Sequence, residues 1–248
     1  MVESKKIIEM QGIYKKFGNV NALNGVNLHL GKGEVLGLVG DNAAGKSTLC
    51  KNLSGALKPT LGEILVNGEK QNFESPADAK KNYIERVYQD LSLCDSIDVS
   101  GNLFLGREII KKYFGINFLD KKRMHEESMK ILDELSIKVS SSSKKVENLS
   151  GGQRQSIAIG KAVSFGPKVL IMDEPTSALA VAEVNAVLKL IKTVSKKGVS
   201  VIFITHRLQD IFKVCDRVMV MYEGKKVADK LINETDLQDL VNLIVSEH

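Results

Sequence analysis

The sequence predicts an α/β fold: a mainly parallel sheet covered by helices, an N-terminal antiparallel β subdomain and an inserted α-helical subdomain. Three observations carry this. Beyond residue 166, strands apolar on both faces alternate with helical segments, the pattern of a parallel sheet buried on both sides. The first 75 residues instead alternate short β-like runs with glycine turns, and the stretch from about 90 to 160 reads as mostly helical.

Taken in order, "KIIEMQGIYKKFG", "VNLHLGKGEVLGLVG" and "GEILVNGEK" are β runs punctuated by Gly12, Gly18, Gly31, Gly33, Gly62 and Gly68. Their spacing suits a small antiparallel sheet laid against the main core. "DKKRMHEESMKILDEL" then places Met124, Ile131, Leu132 and Leu135 on one helical face, with Asp120 as N-cap. "LSGGQRQ" opens a further helix that runs to about Phe165 and stops at Gly166-Pro167. "KVLIMD" and "VSVIFIT" are buried strands, separated by the amphipathic helix "VAEVNAVLKLIKTVSKKG", which Gly198 ends. "DRVMVMYEGKKVAD" is a hairpin turning at Glu223-Gly224, and "LQDLVNLIVSE" is a terminal helix.

Bulk properties narrow the function classes. The chain of 248 residues is 43% apolar and 26% charged, and no apolar run approaches the roughly 20 residues a membrane helix needs. "MVESKKIIEMQG" lacks the apolar segment of a secretory signal. Cys50, Cys94 and Cys215 stand singly, which fits a reducing cytoplasm better than a disulfide scaffold or a zinc site. The formal charge of +5 suits a protein that handles polyphosphates or works near anionic lipid. There is no basic arm and no stacking-aromatic ribbon, so no nucleic-acid partner is expected.

The chemistry concentrates in three places. "EVLGLV" runs into Gly40-Asp41-Asn42-Ala43-Ala44-Gly45-Lys46-Ser47-Thr48, a G-x-x-x-x-G-K-[ST] loop in strand-loop-helix context. Successive N–H groups there form an anion nest, Lys46 reaches the β- and γ-phosphates of a nucleotide, and the Ser47 hydroxyl is the natural Mg2+ ligand. "VLIMDE" ends a strand with Asp173 and Glu174. Such a pair is ordinarily only a polar strand end, but downstream of a phosphate loop Asp173 can hold Mg2+ through water and Glu174 can polarise an attacking water. In "LSGGQRQ", Ser150 and Gln153 form a capping box around Gly151 and Gly152, leaving bare N–H groups at a helix N-terminus. Capping alone leaves two readings open: an ordinary cap, or a second phosphate site.

In this order and spacing, "GDNAAGKST", "YQD", "LSGGQRQ", "LIMDEP" and "ITHR" resemble the ATP-binding subunits of ABC transporters over essentially the whole chain. The resemblance implies a P-loop NTPase of the RecA-like type, one domain over 1–248. Residues 1–89 and 161–248 would form the core with its antiparallel β subdomain, and 90–160 the helical signature subdomain. ATP and Mg2+ are the implied ligands. Ser150, Gly151, Gly152 and Gln153 would cover the γ-phosphate held by a second copy, in a head-to-tail dimer. Gln89 would contact Mg2+ or the water and link the site to transmembrane permease subunits. His206 would stabilise the γ-phosphate, and adenine would stack on Phe17. "NLFLGRE" and "DKKRMHEESMKILDEL" look most like importers of ribose-, xylose- or galactose-type sugars. That implies a place on the cytoplasmic face of a membrane, with a solute-binding protein as indirect partner. The stretch after His206 is too short for the regulatory domain of maltose-type importers.

Two positions depart from the family pattern. Ala43 replaces a glycine, which costs roughly 1 kcal/mol if the backbone there has φ > 0. Ala180 stands where an aspartate orients groups across the dimer. A soluble ABC ATPase in cofactor assembly or nucleic-acid maintenance is the alternative, although coiled-coil or CxxC modules of the repair type are absent. A P-loop small-molecule kinase would leave LSGGQ without a purpose.

Overall fold

A computed structural model describes residues 5–88 and 90–245. Two long strands, β1 (Lys6–Phe17) and β2 (Val20–Gly31), pair as a hairpin before the chain enters β3 (Val35–Gly40). Helix α1 (Lys46–Leu53) follows, then β4 (Leu61–Val66), β5 (Glu69–Gln71), α2 (Pro76–Lys81) and β6 (Ile84–Val87). The insert holds α3 (Val99–Leu103), β7 (Ile110–Tyr113), β8 (Ile116–Leu119), α4 (Lys121–Glu134) and α5 (Gly151–Val163). The chain closes with β9 (Val169–Asp173), α6 (Val181–Lys196), β10 (Ser200–Ile204), α7 (Leu208–Val214), β11 (Arg217–Tyr222), β12 (Lys225–Leu231) and α8 (Leu237–Val245).

The strands form a six-stranded sheet in the order β12-β11-β3-β10-β9-β6 and a four-stranded antiparallel sheet β2-β1-β4-β5. Every pairing in the larger sheet is parallel except β11 with β12. Period-two alternation explains why its strands read as continuous apolar runs. In β9, Val169 and Ile171 face the core shared with α1 and the antiparallel sheet, whereas Leu170 and Met172 face the core shared with α5 and α6. β3 and β10 split the same way, with Leu36, Leu38, Ile202 and Ile204 on one side and Val35, Val39, Val201 and Phe203 on the other.

The two sheets are stitched by one cation. Arg217 bonds the carboxylates of Glu34 and Asp229 and donates to the His29 carbonyl at 2.7 Å, so β2, β11 and β12 meet at a single guanidinium.

Two local expectations change. Gly12 does not end a strand: it sits within β1 at φ 56°, where the register with β2 shifts, and its N–H donates to Asn27 Oδ1 at 2.8 Å. It marks a bulge that bends one long strand. The insert is not helical throughout, because β7 and β8 form a hairpin across Phe114-Gly115, both at positive φ as a two-residue primed turn requires. The predicted turn at Glu223-Gly224 has the same geometry, with φ of 42° and 74°.

Candidate functional site

The phosphate loop is shaped by close backbone contacts. A Cβ on Gly40 would lie 2.1 Å from the Met221 carbonyl oxygen, and one on Gly45 would lie 2.7 Å from that of Ala22. Gly224 presses in from the β11–β12 turn, where its N–H donates to the Ala44 carbonyl at 3.2 Å and its carbonyl accepts from Asn24 N–H at 2.8 Å. The loop is therefore wedged between the two sheets. Ala43 adopts φ 67°, so this side chain sits in the left-handed region at a cost of about 1 kcal/mol.

Lys46 lies across the loop, donating to the carbonyls of Gly40 and Asp41, each at 2.8 Å. Burial holds its ammonium below the ordinary lysine pKa, against the pull of Glu174, Asp41 and Asp173. Those carboxylates thus lie close enough to sense the loop. A cavity of about 660 Å3 runs from Phe17 and Val20, past Ala43, Lys46 and Ser47, to Glu174. Phe17 is 46% exposed at one end of it, and the Lys15 ammonium lies 5.2 Å from the ring centroid.

β9 ends where it does because Glu174 turns into the left-handed region at φ 51° and Pro175 removes the next donor. The Glu174 N–H donates to the Ile204 carbonyl at 3.0 Å, which ties this bend to β10. His206, just beyond β10, brings Nδ1 to 3.2 Å from Glu174 Oε2. A non-glycine residue held in that backbone region, with a polar partner and an open cavity before it, is strained in the way functional sites often are.

Asp173 is engaged by a residue that sequence reasoning missed. Arg86 of β6 donates from Nη2 to Asp173 Oδ2 at 2.6 Å. The two side chains are only 5% and 10% exposed. Register explains the meeting: Arg86 pairs with Ile171, so Asp173 lies two residues along on the same face. The signal was a pair of charges, Glu85 and Arg86, inside the otherwise apolar run "YIERVY", and that of Arg86 acquired meaning only once β6 was known to neighbour β9.

The signature segment lies elsewhere. Ser150 Oγ accepts from Gln153 N–H at 3.3 Å and Gln153 Oε1 accepts from Ser150 N–H at 3.1 Å, the capping box as predicted. Its bare N–H groups do not all face outward, however. Glu183 of α6 accepts from Gly152 N–H at 3.1 Å and from Ala180 N–H at 3.2 Å. A hydrogen bond from the Ser150 side chain, then these two backbone bonds, hold the Glu183 carboxyl below its usual range. A Cβ on Gly152 would stand 2.6 Å from Glu183 Cβ, so glycine here lets α5 and α6 approach as well as baring a donor. Ser150, Gly152 and Gln153 line a cavity of about 480 Å3 that shares no residue with the one at the phosphate loop. Gln89 lies outside the described residues.

Among the described residues no three His, Cys, Asp or Glu side chains cluster as a metal cage. The donors present, the Ser47 hydroxyl and the Asp173 carboxylate, are hard oxygens. They suit Mg2+, which keeps several waters and uses one or two protein ligands beside phosphates.

Residues 23–177 match the family model described as "ABC transporter". The chain is 45% identical to the xylose/arabinose import ATP-binding protein XylG of Sulfolobus acidocaldarius, over 97% of this chain and 94% of that protein. It is 40% identical to the fructose import ATP-binding protein FrcA of Rhizobium meliloti, over 93% and 89% of the two chains. The ribose import ATP-binding protein RbsA of Caldanaerobacter subterraneus is also 40% identical, but this chain spans only 47% of its length. Among solved structures, the ADP conformation of MJ1267, an ATP-binding cassette of an ABC transporter, superposes with a TM-score of 0.81 at 28% identity, over 96% of this chain and 94% of that one.

Proposed function

The chain belongs to the ABC transporter family, and from that premise we propose that it is the ATP-hydrolysing motor subunit of an importer for a monosaccharide. The observation that carries the reading is the separation of two half-sites. Phe17, the phosphate loop, Glu174 and His206 belong to one cavity and its rim, whereas the signature cap opens on another. A single copy thus offers a nucleotide a floor without a lid. A second copy in head-to-tail arrangement supplies Ser150, Gly151, Gly152 and Gln153 from its own α5. Dimers of such cassettes have been seen for MJ0796.

In this reading Phe17 stacks on adenine and the loop from Gly40 to Thr48 wraps the phosphates with backbone donors. Lys46 leaves its carbonyl acceptors to meet the β- and γ-phosphate oxygens. Ser47, Asp173 and Gln89 are the residues that would hold Mg2+, which supplies charge neutralisation at those oxygens when bound. Glu174 accepts a proton from the attacking water, and His206, 3.2 Å away, orients that carboxylate and approaches the γ-phosphate. Most of the rate comes from pre-positioned donors around the developing charge.

Residues 1–89 and 161–248 act as the ATP-binding core, and 90–160 as the signature subdomain that relays closure to permease subunits. Among the described residues no helix is long and apolar enough to cross a membrane; the import ATP-binding relatives support a peripheral place on the cytoplasmic face. The import ATP-binding relatives favour a sugar as cargo, delivered by a solute-binding protein. Glu174→Gln tests the core of this. ATP turnover should fall by at least two orders of magnitude, the low end for a general base, while an ATP-bound dimer accumulates on gel filtration. Turnover at the wild-type rate would remove Glu174 from the mechanism.

A further inference from the structure

The β7–β8 hairpin contributes no side chain to either core. All eight strand residues, Ile110–Tyr113 and Ile116–Leu119, are exposed on both faces, and Phe114 at the turn is 89% exposed. Register puts Tyr113, Ile116, Phe118 and Lys111 on one face, with Ile110, Leu119, Lys112 and Asn117 on the other. An isolated two-stranded hairpin is marginal in water at best; here Leu119, on one face, borders a cavity with Leu105 and Met124, and the other face presents Tyr113, Ile116 and Phe118 to solvent. At the tip Tyr113 and Phe114 pack edge to face, 4.6 Å between centroids.

Charge gathers at the same place. From Arg107 to Arg123 the chain carries six basic side chains against Glu108 and Asp120, a surplus of +4 out of the chain's formal +5. Three of the six, Lys121, Lys122 and Arg123, occupy the first turn of α4, which holds no acidic residue. A helix N-terminus is positive already, so cations there work against the macrodipole unless an outside anion compensates. The backbone joins this turn to the hairpin, since Asp120 N–H donates to the Ile109 carbonyl at 2.8 Å. Within the hairpin strands and turn there is no carboxylate at all.

We propose that the β7–β8 hairpin is a membrane-contact element, with Tyr113, Phe114 and Phe118 entering the interface of an anionic bilayer while Lys111, Lys112 and the start of α4 meet its headgroups. Aromatic rings with flanking lysines are the chemistry of that boundary: the rings partition at headgroup depth, and lysine stems lie along apolar surface while the ammonium stays at phosphate level. A polar protein groove would ask for acceptors and donors at fixed places, and the hairpin offers few. The contact is peripheral, and it rests on the reading of the chain as the motor of a membrane importer. It adds a direct lipid attachment that needs no permease.

The test is flotation of the purified full chain with vesicles of phosphatidylcholine alone or mixed with phosphatidylglycerol. The wild type should float with the mixed vesicles at low salt, be released by high salt, and remain behind with phosphatidylcholine. Each lysine near an anionic surface is worth about fivefold in partitioning, so Lys111→Gln with Lys112→Gln should weaken it about thirtyfold. Tyr113→Ser with Phe114→Ser should abolish flotation with ATPase activity intact. All four positions are solvent-facing, so folding is not at stake. Absence of wild-type flotation, or flotation indifferent to both double variants, overturns the proposal. So does loss of permease binding in detergent micelles by variants that still float, which would identify a protein partner. Because no permease is present in the vesicle arm, the lipid contact can fail while the importer reading stands.

Discussion

Removing either partner of the Arg86–Asp173 pair should destabilise the protein far more than a surface ion pair would. The Nη2–Oδ2 distance is 2.6 Å and the side chains are 5% and 10% exposed, so solvent neither screens the pair nor replaces it. Arg86 has no second hydrogen-bond acceptor to turn to: its Nε and Nη1 are buried without a partner among the described residues. Its guanidinium lies 5.0 Å from the Tyr88 ring centroid and near Cys50, whose thiol burial pushes up to about 12. Stranding one charge of a buried pair costs about 3–5 kcal/mol, whereas replacing both by apolar side chains of similar size is close to neutral. For a chain of this length about 2–4 °C accompanies each kcal/mol, so Arg86→Met or Asp173→Leu should each lower Tm by roughly 6–20 °C. Arg86→Met combined with Asp173→Leu should recover most of that, so the double variant falls short of the sum of the singles by about 6 kcal/mol even at the low end of the range. The assay is thermal and urea unfolding of the four proteins without nucleotide or Mg2+. Single variants within 1 kcal/mol of wild type, or a double variant equal to the sum of the singles, would refute the argument. One corollary concerns enzymology: an inactive Asp173 variant would report lost folding together with any loss of the proposed metal binding, and Arg86→Met separates the two.

Other outcomes follow from the signature cap and the thiols. Ser150→Arg should leave the nucleotide affinity of a single copy within about twofold, as expected for a residue outside that cavity, yet eliminate ATP-driven dimerisation; binding and gel filtration read the two separately, and weakened binding by the monomer would refute the trans assignment. Gly152→Ala should cost about 1–3 kcal/mol in urea unfolding, as overpacking does, because its Cβ would meet Glu183 Cβ at 2.6 Å. A thiol reagent at pH 8 should find one fast equivalent in the native protein, Cys94, because burial raises the thiol pKa of Cys50 and Cys215; rapid reaction at a second thiol would contradict their packing.

What the sequence disclosed, and what it withheld, divides along the distance between interacting residues. The phosphate loop is a contiguous motif whose strand, turn and helix can be read together, and β9 and β10 announce themselves because each strand feeds two cores. Arg86 and Asp173 are separated by the whole insert, so only the neighbouring of β6 and β9 turns a charged strand residue into half of a buried pair. Glu183 caps a helix it does not belong to, and the N–H of Gly152, read as outward, is turned toward it. The β7–β8 hairpin escaped for the opposite reason: periodicity betrays an element by the side it buries, and no strand residue of this one is buried.

The wedging of the phosphate loop has a kinetic consequence. Gly40, Gly45 and Gly224 touch neighbouring backbone where side chains would have stood, so the loop is cast before any ligand arrives. Its donors need not be gathered at the moment of encounter, and the entropy of ordering them was spent in folding. Nucleotide capture by one copy should then follow a single exponential whose rate rises linearly with concentration, with no plateau from a slow isomerisation. Any slow phase belongs to the meeting of two copies, and should depend on protein concentration rather than on nucleotide.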